Sequence, residues 1–328
     1  MTVLDIRDLS VDFATEGGAL QALRKVSMSV PENRIVGVVG ESGCGKSTLI
    51  NAILGLLADN GEVTSGEILF EGTHDLTTLA GTAMRGLRGQ KIATVFQDPM
   101  GALNPVLSVG RQMRDIQYRS NLSRREKDAR SIEMLRKVRI PDAEQRLVQF
   151  PHEFSGGMKQ RIAIAMALMM EPSLLIADEP TTALDATLEV TIIELLKELQ
   201  QQIGCSVLFI SHHLGVIAEL CDEMIVMYAG EVVESGTTRD VFHNARHPYT
   251  RKLLACDPAR LTHRAGRLPT IPGTLPDLRN RPEGCVFQAR CELADATCSR
   301  MPPDEEIAPG HLARCWHTEA SVMIGAGA

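Results

Sequence analysis

An apolar run, Val36-Gly37-Val38-Val39, leads into Gly40-Glu41-Ser42-Gly43-Cys44-Gly45-Lys46-Ser47 and then into a helical pattern, Thr48 to Leu54. The spacing G-x-x-x-x-G-K-S/T predicts a buried strand, a glycine loop and a helix, in that order. A chain that carries this unit folds as an α/β layer, because the loop works only when a strand delivers it to a helix N-terminus. Glycines let backbone N–H groups curl around phosphate oxygens, and the helix adds the positive end of its dipole. Gly40, Ser42, Gly43, Cys44, Gly45, Lys46, Ser47 and Thr48 are the candidate nucleotide contacts. Lys46 would reach the β- and γ-phosphates, and Ser47 would ligate Mg²⁺. The plain alternative is a glycine turn ahead of an ordinary helix. Cys44 reads as inert or structural, or, by its place inside the loop, as open to alkylation.

Further segments place polar residues at the ends of apolar runs. Leu174 to Ala177 reads as a strand that ends in Asp178-Glu179-Pro180. Beside a phosphate loop, Asp178 would hold Mg²⁺, and Glu179 would polarise an attacking water as general base. Without such a loop, two acids after a strand are simply an exposed turn. Ile92 to Gln97 reads as a strand that ends in Gln97, and Val207 to Ile210 as a strand followed by Ser211-His212-His213. By itself a histidine at a strand end is a solvated or capping residue. Ser155-Gly156-Gly157 precedes a helical pattern from Met158 to Met170. Ser155 is a candidate N-cap, and the glycines expose N–H groups, which makes a second anion site or an ordinary capped helix.

In this order and spacing the segments resemble the ATP-binding cassette family. The resemblance covers residues 1 to about 245. It implies an α/β, P-loop NTPase core with a mostly parallel sheet, plus an antiparallel β subdomain from Met1 to Val30 with Gly66 to Phe70. It also implies a helical subdomain at about 98–160 that grips the coupling helices of a membrane permease. By the same resemblance, Glu179, His212 and Gln97 are catalytic, His212 touches the γ-phosphate, and Gln97 contacts Mg²⁺ and the water. Mg²⁺ would be held through Ser47, Gln97 and Asp178. Ser155, Gly156, Gly157 and Met158 would bind the ATP held by a partner cassette, and Ala183-Leu184-Asp185 is the loop that crosses to that partner. Phe154 and Met158 depart from the family's commonest Leu and Gln in the manner of the oligopeptide-importer branch. His213 stands where the family usually has Asp. Phe13 is the candidate for stacking on adenine, or else a strand residue facing the core.

Composition narrows the partners. The chain has 328 residues and a formal net charge of −7, which excludes a nucleic-acid surface built on a basic stripe. The basic residues from Arg119 to Arg139 are interleaved with acids, as on a solvated helix face. No run approaches the ~20 apolar residues of a membrane span, and Asp5 and Asp8 interrupt any signal-peptide core. The expected location is the cytoplasmic face of the membrane, held there by partners. No internal repeat is present, so this is one cassette, not a tandem pair. The implied partners are two integral-membrane permease subunits, an extracytoplasmic solute-binding protein, and either a second related ATPase or another copy of this chain.

Residues 246–328 read as a small loop-rich extension, with the proline-spaced stretch Thr270 to Pro282 as its linker. Four of the eight cysteines bunch there as Cys285-x5-Cys291-x6-Cys298-x16-Cys315. Inside a cell such a group favours a metal site over disulfides. The spacings match neither a zinc ribbon nor the common ferredoxin runs. Candidates are a 4Fe–4S cluster, zinc or free thiols. His247-Pro248-Tyr249-Thr250-Arg251, Ile271-Pro272-Gly273, Gly284-Cys285-Val286-Phe287, Arg290-Cys291, Gly310-His311 and Arg314-Cys315 resemble the tail of oligopeptide and dipeptide importer ATPases. Some members of that branch hold an iron–sulfur cluster on the four cysteines. The activity implied is hydrolysis of ATP to ADP and phosphate, coupled to uptake of peptides. Relatives that move nickel, glutathione, opines or oligosaccharides are the nearest alternative. A soluble cassette acting on DNA or ribosomes would need the second cassette, coiled coil or basic arms that this chain lacks. A P-loop kinase would leave the glycine signature and the tail unexplained.

Overall fold

The computed structural model describes residues 1–182, 185–257 and 269–319. The chain divides into two compact units, residues 1–79 with 209–328, and residues 80–208.

The first unit opens with a long hairpin, β1 (Thr2–Thr15) and β2 (Gly18–Pro31), paired antiparallel. Val3, Leu4, Ile6, Leu9, Val11, Leu23, Val26 and Val30 are buried along it. After β3 (Ile35–Val39) and helix α1 (Lys46–Leu54), β4 (Gly61–Phe70) returns to pair with β1, and the short β5 (His74–Asp75) completes the order β2-β1-β4-β5. Thr15 and Gly18 face each other across the tip, so the two strands are joined by a tight turn.

The second unit begins with α2 (Gly81–Leu87) and β6 (Ile92–Val95). Next come the helical turn α3 (Pro99–Ala102), α4 (Val109–Ile116), α5 (Arg124–Lys137) and α6 (Ala143–Arg146). The apolar-poor α5 is held at its start by a capping box: Ser123 accepts the Glu126 N–H at 3.3 Å, and Glu126 accepts the Ser123 N–H at 2.7 Å. Helix α7 (Gly156–Leu168) and strand β7 (Leu174–Asp178) follow, and then α8 (Ala186–Ile203). β6 and β7 pair in parallel, in the register Ile92 to Leu174 through Val95 to Ala177. Both are almost wholly buried, as continuous apolar runs in a covered parallel sheet must be.

β8 (Ser206–Ile210) begins in the second unit and ends in the first. The first unit resumes with α9 (Leu214–Leu220), β9 (Glu223–Tyr228), β10 (Glu231–Thr237), α10 (Thr238–Asn244) and α11 (Pro248–Ala255). β9 lies parallel to β3, and β10 folds back antiparallel on β9. The tail holds two strands, β11 (Asp304–Ala308) and β12 (His311–Arg314), besides its loops. β12 pairs antiparallel with β10, giving the order β11-β12-β10-β9-β3. Their sequences, Asp-Glu-Glu-Ile-Ala and His-Leu-Ala-Arg, carry no apolar alternation because they form a sheet edge, so the loop-rich reading passes over them. Buried ions hold this part together. Glu231, 1% exposed, faces Arg24, Arg281 at 3.4 Å and Arg314 at 3.7 Å. Burial raises the Glu231 pKa, and these three arginines oppose that rise.

Candidate active site

In the first unit, β3 delivers the chain to the phosphate loop, and Ser211 N–H donates to the Val38 carbonyl at 3.2 Å, setting the end of β8 beside it. Gly45 caps α1 at φ 104°, where a side chain would strain the backbone and meet Leu23 at 2.8 Å. No side chain caps α1, so the N–H groups of its first turn remain available to an anion. Lys46 is 9% exposed, and its Nζ donates to the carbonyls of Gly40 at 2.7 Å and Glu41 at 3.3 Å. Ser42 and Gly43 are exposed and Ser47 is exposed. Cys44 takes the inert of its two readings and not the alkylation-prone one: it is 0% exposed, and burial pushes its thiol up. His212 is exposed at the end of β8, 4.2 Å from the His213 ring in an edge-on contact. His213 also donates its N–H to Ser211 Oγ at 3.0 Å and stands at the N-cap of α9. Phe13 is half-buried on β1, opposite Gly61, and its ring occupies the space a side chain at Gly61 would need.

In the second unit the structure brings two of the expected catalytic residues together. Gln97 Nε2 donates to Glu179 Oε2 at 3.1 Å, and Thr182 Oγ1 donates to the same oxygen at 3.0 Å. Glu179 lies at φ 45°, a left-handed conformation that non-glycine residues keep only under outside constraint. Asp178 closes β7. Gln97 stands two residues beyond the end of β6 at Val95, after an exposed Phe96. Ser155 is the N-cap of α7 and accepts the Met158 N–H at 3.4 Å, while Ser155 and Gly156 are exposed. Gly157 is packed, since a Cβ there would sit 3.2 Å from Leu188. Asp185 caps α8 by accepting the Leu188 N–H at 3.0 Å. Ala183 and Leu184, its companions in the expected crossing loop, lie outside the described residues.

The tail cysteines gather in the first unit, all eight cysteines of the chain being unbridged. Burial first, then the nearby thiols of Cys315, Cys298 and Cys291, push Cys285 up to about 12. Cys315 is pushed up to about 11 by burial, with Cys291 and Cys298 adding to it. Backbone N–H groups donate to three of the sulfurs from two residues ahead: Phe287 to Cys285, Leu293 to Cys291, and His317 to Cys315 at 3.3 Å. Among the described residues the ligand atoms that lie within 4.8 Å of one another are those of the Asp295 carboxylate, the Cys298 sulfur and the His317 ring, and the four tail cysteines do not form such a group by themselves.

The tail motifs that the sequence singles out also have a place. His247 Nδ1 accepts the Tyr249 N–H at 3.1 Å at the start of α11, and His311 Nε2 meets Glu234 at 2.8 Å. Arg314 pairs with Asp304 at 2.6 Å. The contacts of Tyr249 and Arg290 with Glu41 of the phosphate loop have no signal in the sequence beyond the tail pattern itself. Among the described residues no helix is long and apolar enough to cross a membrane.

Comparison with known proteins gives two family matches. One, described as ABC transporter, spans residues 23–182, and the other, described as the oligopeptide/dipeptide transporter C-terminal region, spans residues 233–298. The chain is 47% identical over 325 residues to a probable peptide ABC transporter ATP-binding protein of Sinorhizobium fredii, covering 98% of this chain and 97% of the relative. It is 47% identical to the dipeptide transport ATP-binding protein DppD of Bacillus subtilis, with 98% of each chain covered. Against the oligopeptide transport ATP-binding protein OppD of Escherichia coli the identity is 44%, over 96% of this chain and 93% of that one. Among solved structures it is similar to the ATP-binding cassette MJ0796, a dimer in a post-hydrolysis state bound to ADP and Pi. That match has a TM-score of 0.63 and 28% identity, over 72% of this chain and 99% of the other.

Proposed function

This chain belongs to the ATP-binding cassette family, in the branch with the oligopeptide/dipeptide transporter tail, and from that membership we propose how its residues divide the work. It is the ATP-hydrolysing subunit of a peptide ABC importer. The observation that carries this is near-full-length identity to peptide-transport ATPases, tail included.

The phosphate loop cradles the triphosphate through its backbone N–H groups, with Lys46 on the outer phosphates. Lys46 would exchange its bonds to the Gly40 and Glu41 carbonyls for bonds to phosphate oxygens. Ser47, Asp178 and Gln97 offer the hard oxygen donors that suit Mg²⁺, which when bound neutralises charge on the phosphates. Glu179 is the general base, its carboxylate held by Gln97 and Thr182 in a constrained backbone conformation. His212 contacts the γ-phosphate. Ser155, Gly156, Gly157 and Met158 bind the ATP of a partner cassette, Asp185 stands in the loop that meets it, and Phe13 stacks on adenine. Dimer closure on two ATPs and its release after hydrolysis drive two membrane permeases, which receive solute from an extracytoplasmic binding protein. The chain works at the cytoplasmic face, paired with a related ATPase or with itself. The solute class is di- or oligopeptides.

Cys285, Cys291, Cys298 and Cys315 would hold a 4Fe–4S cluster, which when bound supplies a structural cross-link between tail loops. The backbone N–H groups that donate to Cys285, Cys291 and Cys315 support this reading.

Affinity capture of the chain from native membranes, with mass spectrometry of its partners, tests the function. Recovery of two membrane subunits and a solute-binding protein loaded with peptide is the expected result. Recovery of ribosomal or DNA-repair proteins would contradict it.

A further inference from the structure

Arg290 of the tail reaches the phosphate loop through its two terminal nitrogens. Its Nη1 donates to Glu41 Oε2 at 2.7 Å and its Nη2 to Glu41 Oε1 at 3.1 Å, a two-point grip on one carboxylate. The remaining N–H groups go to the Tyr228 hydroxyl at 3.2 Å, the Pro272 carbonyl at 2.9 Å and the Ile271 carbonyl at 3.0 Å. A guanidinium has five N–H donors, and all are used, so its position is fully fixed. The side chain is 5% exposed, and the bond to Glu41 raises its already high pKa further, so it stays charged.

Glu41 is held from other sides as well. Its N–H donates to the Tyr249 hydroxyl at 2.9 Å, and its carbonyl accepts from Cys44 N–H at 3.1 Å and Lys46 Nζ at 3.3 Å. The side chain of Glu41 therefore sets the position of a carbonyl that the phosphate-binding lysine itself touches. Tyr228, Tyr249 and Phe287 pack ring on ring at 4.6 to 5.4 Å around the grip. Arg290 N–H donates to the Phe287 carbonyl at 2.9 Å, and the next residue is Cys291. A segment bounded by two of the gathered cysteines, Cys285 and Cys291, thus carries the residue that grips the loop.

We propose that Arg290 is a positioning residue for ATP binding: by gripping Glu41 it sets the phosphate loop, and it makes nucleotide affinity depend on the four-cysteine segment. This rests on the reading of Gly40 to Ser47 as the ATP loop. A mere strap that holds the tail down would show up in thermal stability. A positioning residue shows up in nucleotide affinity while the fold is intact.

The test is equilibrium binding of a fluorescent ATP analogue to the full chain, together with KM and kcat for ATP, circular dichroism and iron content. Arg290→Ala is expected to weaken binding by about tenfold and to raise KM more than it lowers kcat, since losing a charge-assisted hydrogen-bond pair is of that order. Arg290→Lys keeps the charge without the fork and should recover part of the affinity. Glu41→Gln should weaken binding similarly, and the double variant should be no worse than either single one. Cys291→Ser should lose iron and weaken binding by the same factor. Unchanged affinity in Arg290→Ala or Glu41→Gln overturns the proposal, as does Cys291→Ser losing iron with affinity intact. Lys46→Ala is the control: if it still binds the analogue normally, the reading of the ATP loop has failed, not the role of Arg290.

Discussion

At the scale of single residues, burial decides which polar groups react. His247 is 1% exposed, its Nδ1 accepts the Tyr249 N–H, and its own N–H donates to Glu234 Oε2 at 2.9 Å. Burial pushes its imidazole down from 6.5 to about 4, with Glu234 working against the fall and Arg314 with it. The unfolded histidine takes up a proton near 6.5, whereas the folded one excludes it until about 4. Stability from this residue is therefore complete above that window and is lost as pH falls through it, by at most about 1.4 kcal/mol per pH unit. Urea midpoints measured between pH 7 and pH 5 should fall more steeply for the native chain than for His247→Asn, which keeps a capping side chain. Equal slopes would show that His247 is not the titrating group. The sequence marks His247 by its tail pattern, but its burial comes from Phe287, some forty positions away, at a ring distance of 5.9 Å. The same holds for Cys44: its place in the loop is legible, while its inertness depends on long-range packing.

At the scale of elements, the strands and helices that carry chemistry follow from local pattern. β7, β8 and α7 stand within two residues of where apolar runs and the Ser-Gly-Gly start place them. Ser155 has two tasks in this account, capping α7 and facing a partner's ATP, and they can be separated. Ser155→Asp keeps a good cap and adds a negative charge where phosphate is expected. It should leave thermal stability within about 0.5 kcal/mol of native and abolish cooperative ATP hydrolysis, whereas Ser155→Ala should cost about 1 kcal/mol as well. Native ATPase rates in Ser155→Asp would remove this turn from the partner site. What local pattern does not reveal is the pair β11 and β12. Edge strands with Asp304, Glu305 and Glu306 in them offer no apolar period to read, and only the pairing of β12 with β10 and of β11 with β12 defines them.

At the scale of the whole molecule, the tail and the β layer belong to one compact unit, and the helices α2 to α8 belong to the other. The motifs for the phosphate loop, the two acids and the glycine signature were sufficient to name the fold class, because each is a short-range arrangement that the family repeats. The grip of Arg290 on Glu41, with a sequence separation of 249, was not legible, because nothing local to either residue requires it. For the proposed role of Glu179 as base in ATP hydrolysis, the decisive measurement is the turnover of Glu179→Gln. Glutamine keeps the shape and the hydrogen bond but cannot take a proton. ATP should bind as in the native chain, and steady-state hydrolysis should fall by roughly 10²- to 10⁴-fold. Native hydrolysis rates in Glu179→Gln would show that Glu179 is not the base.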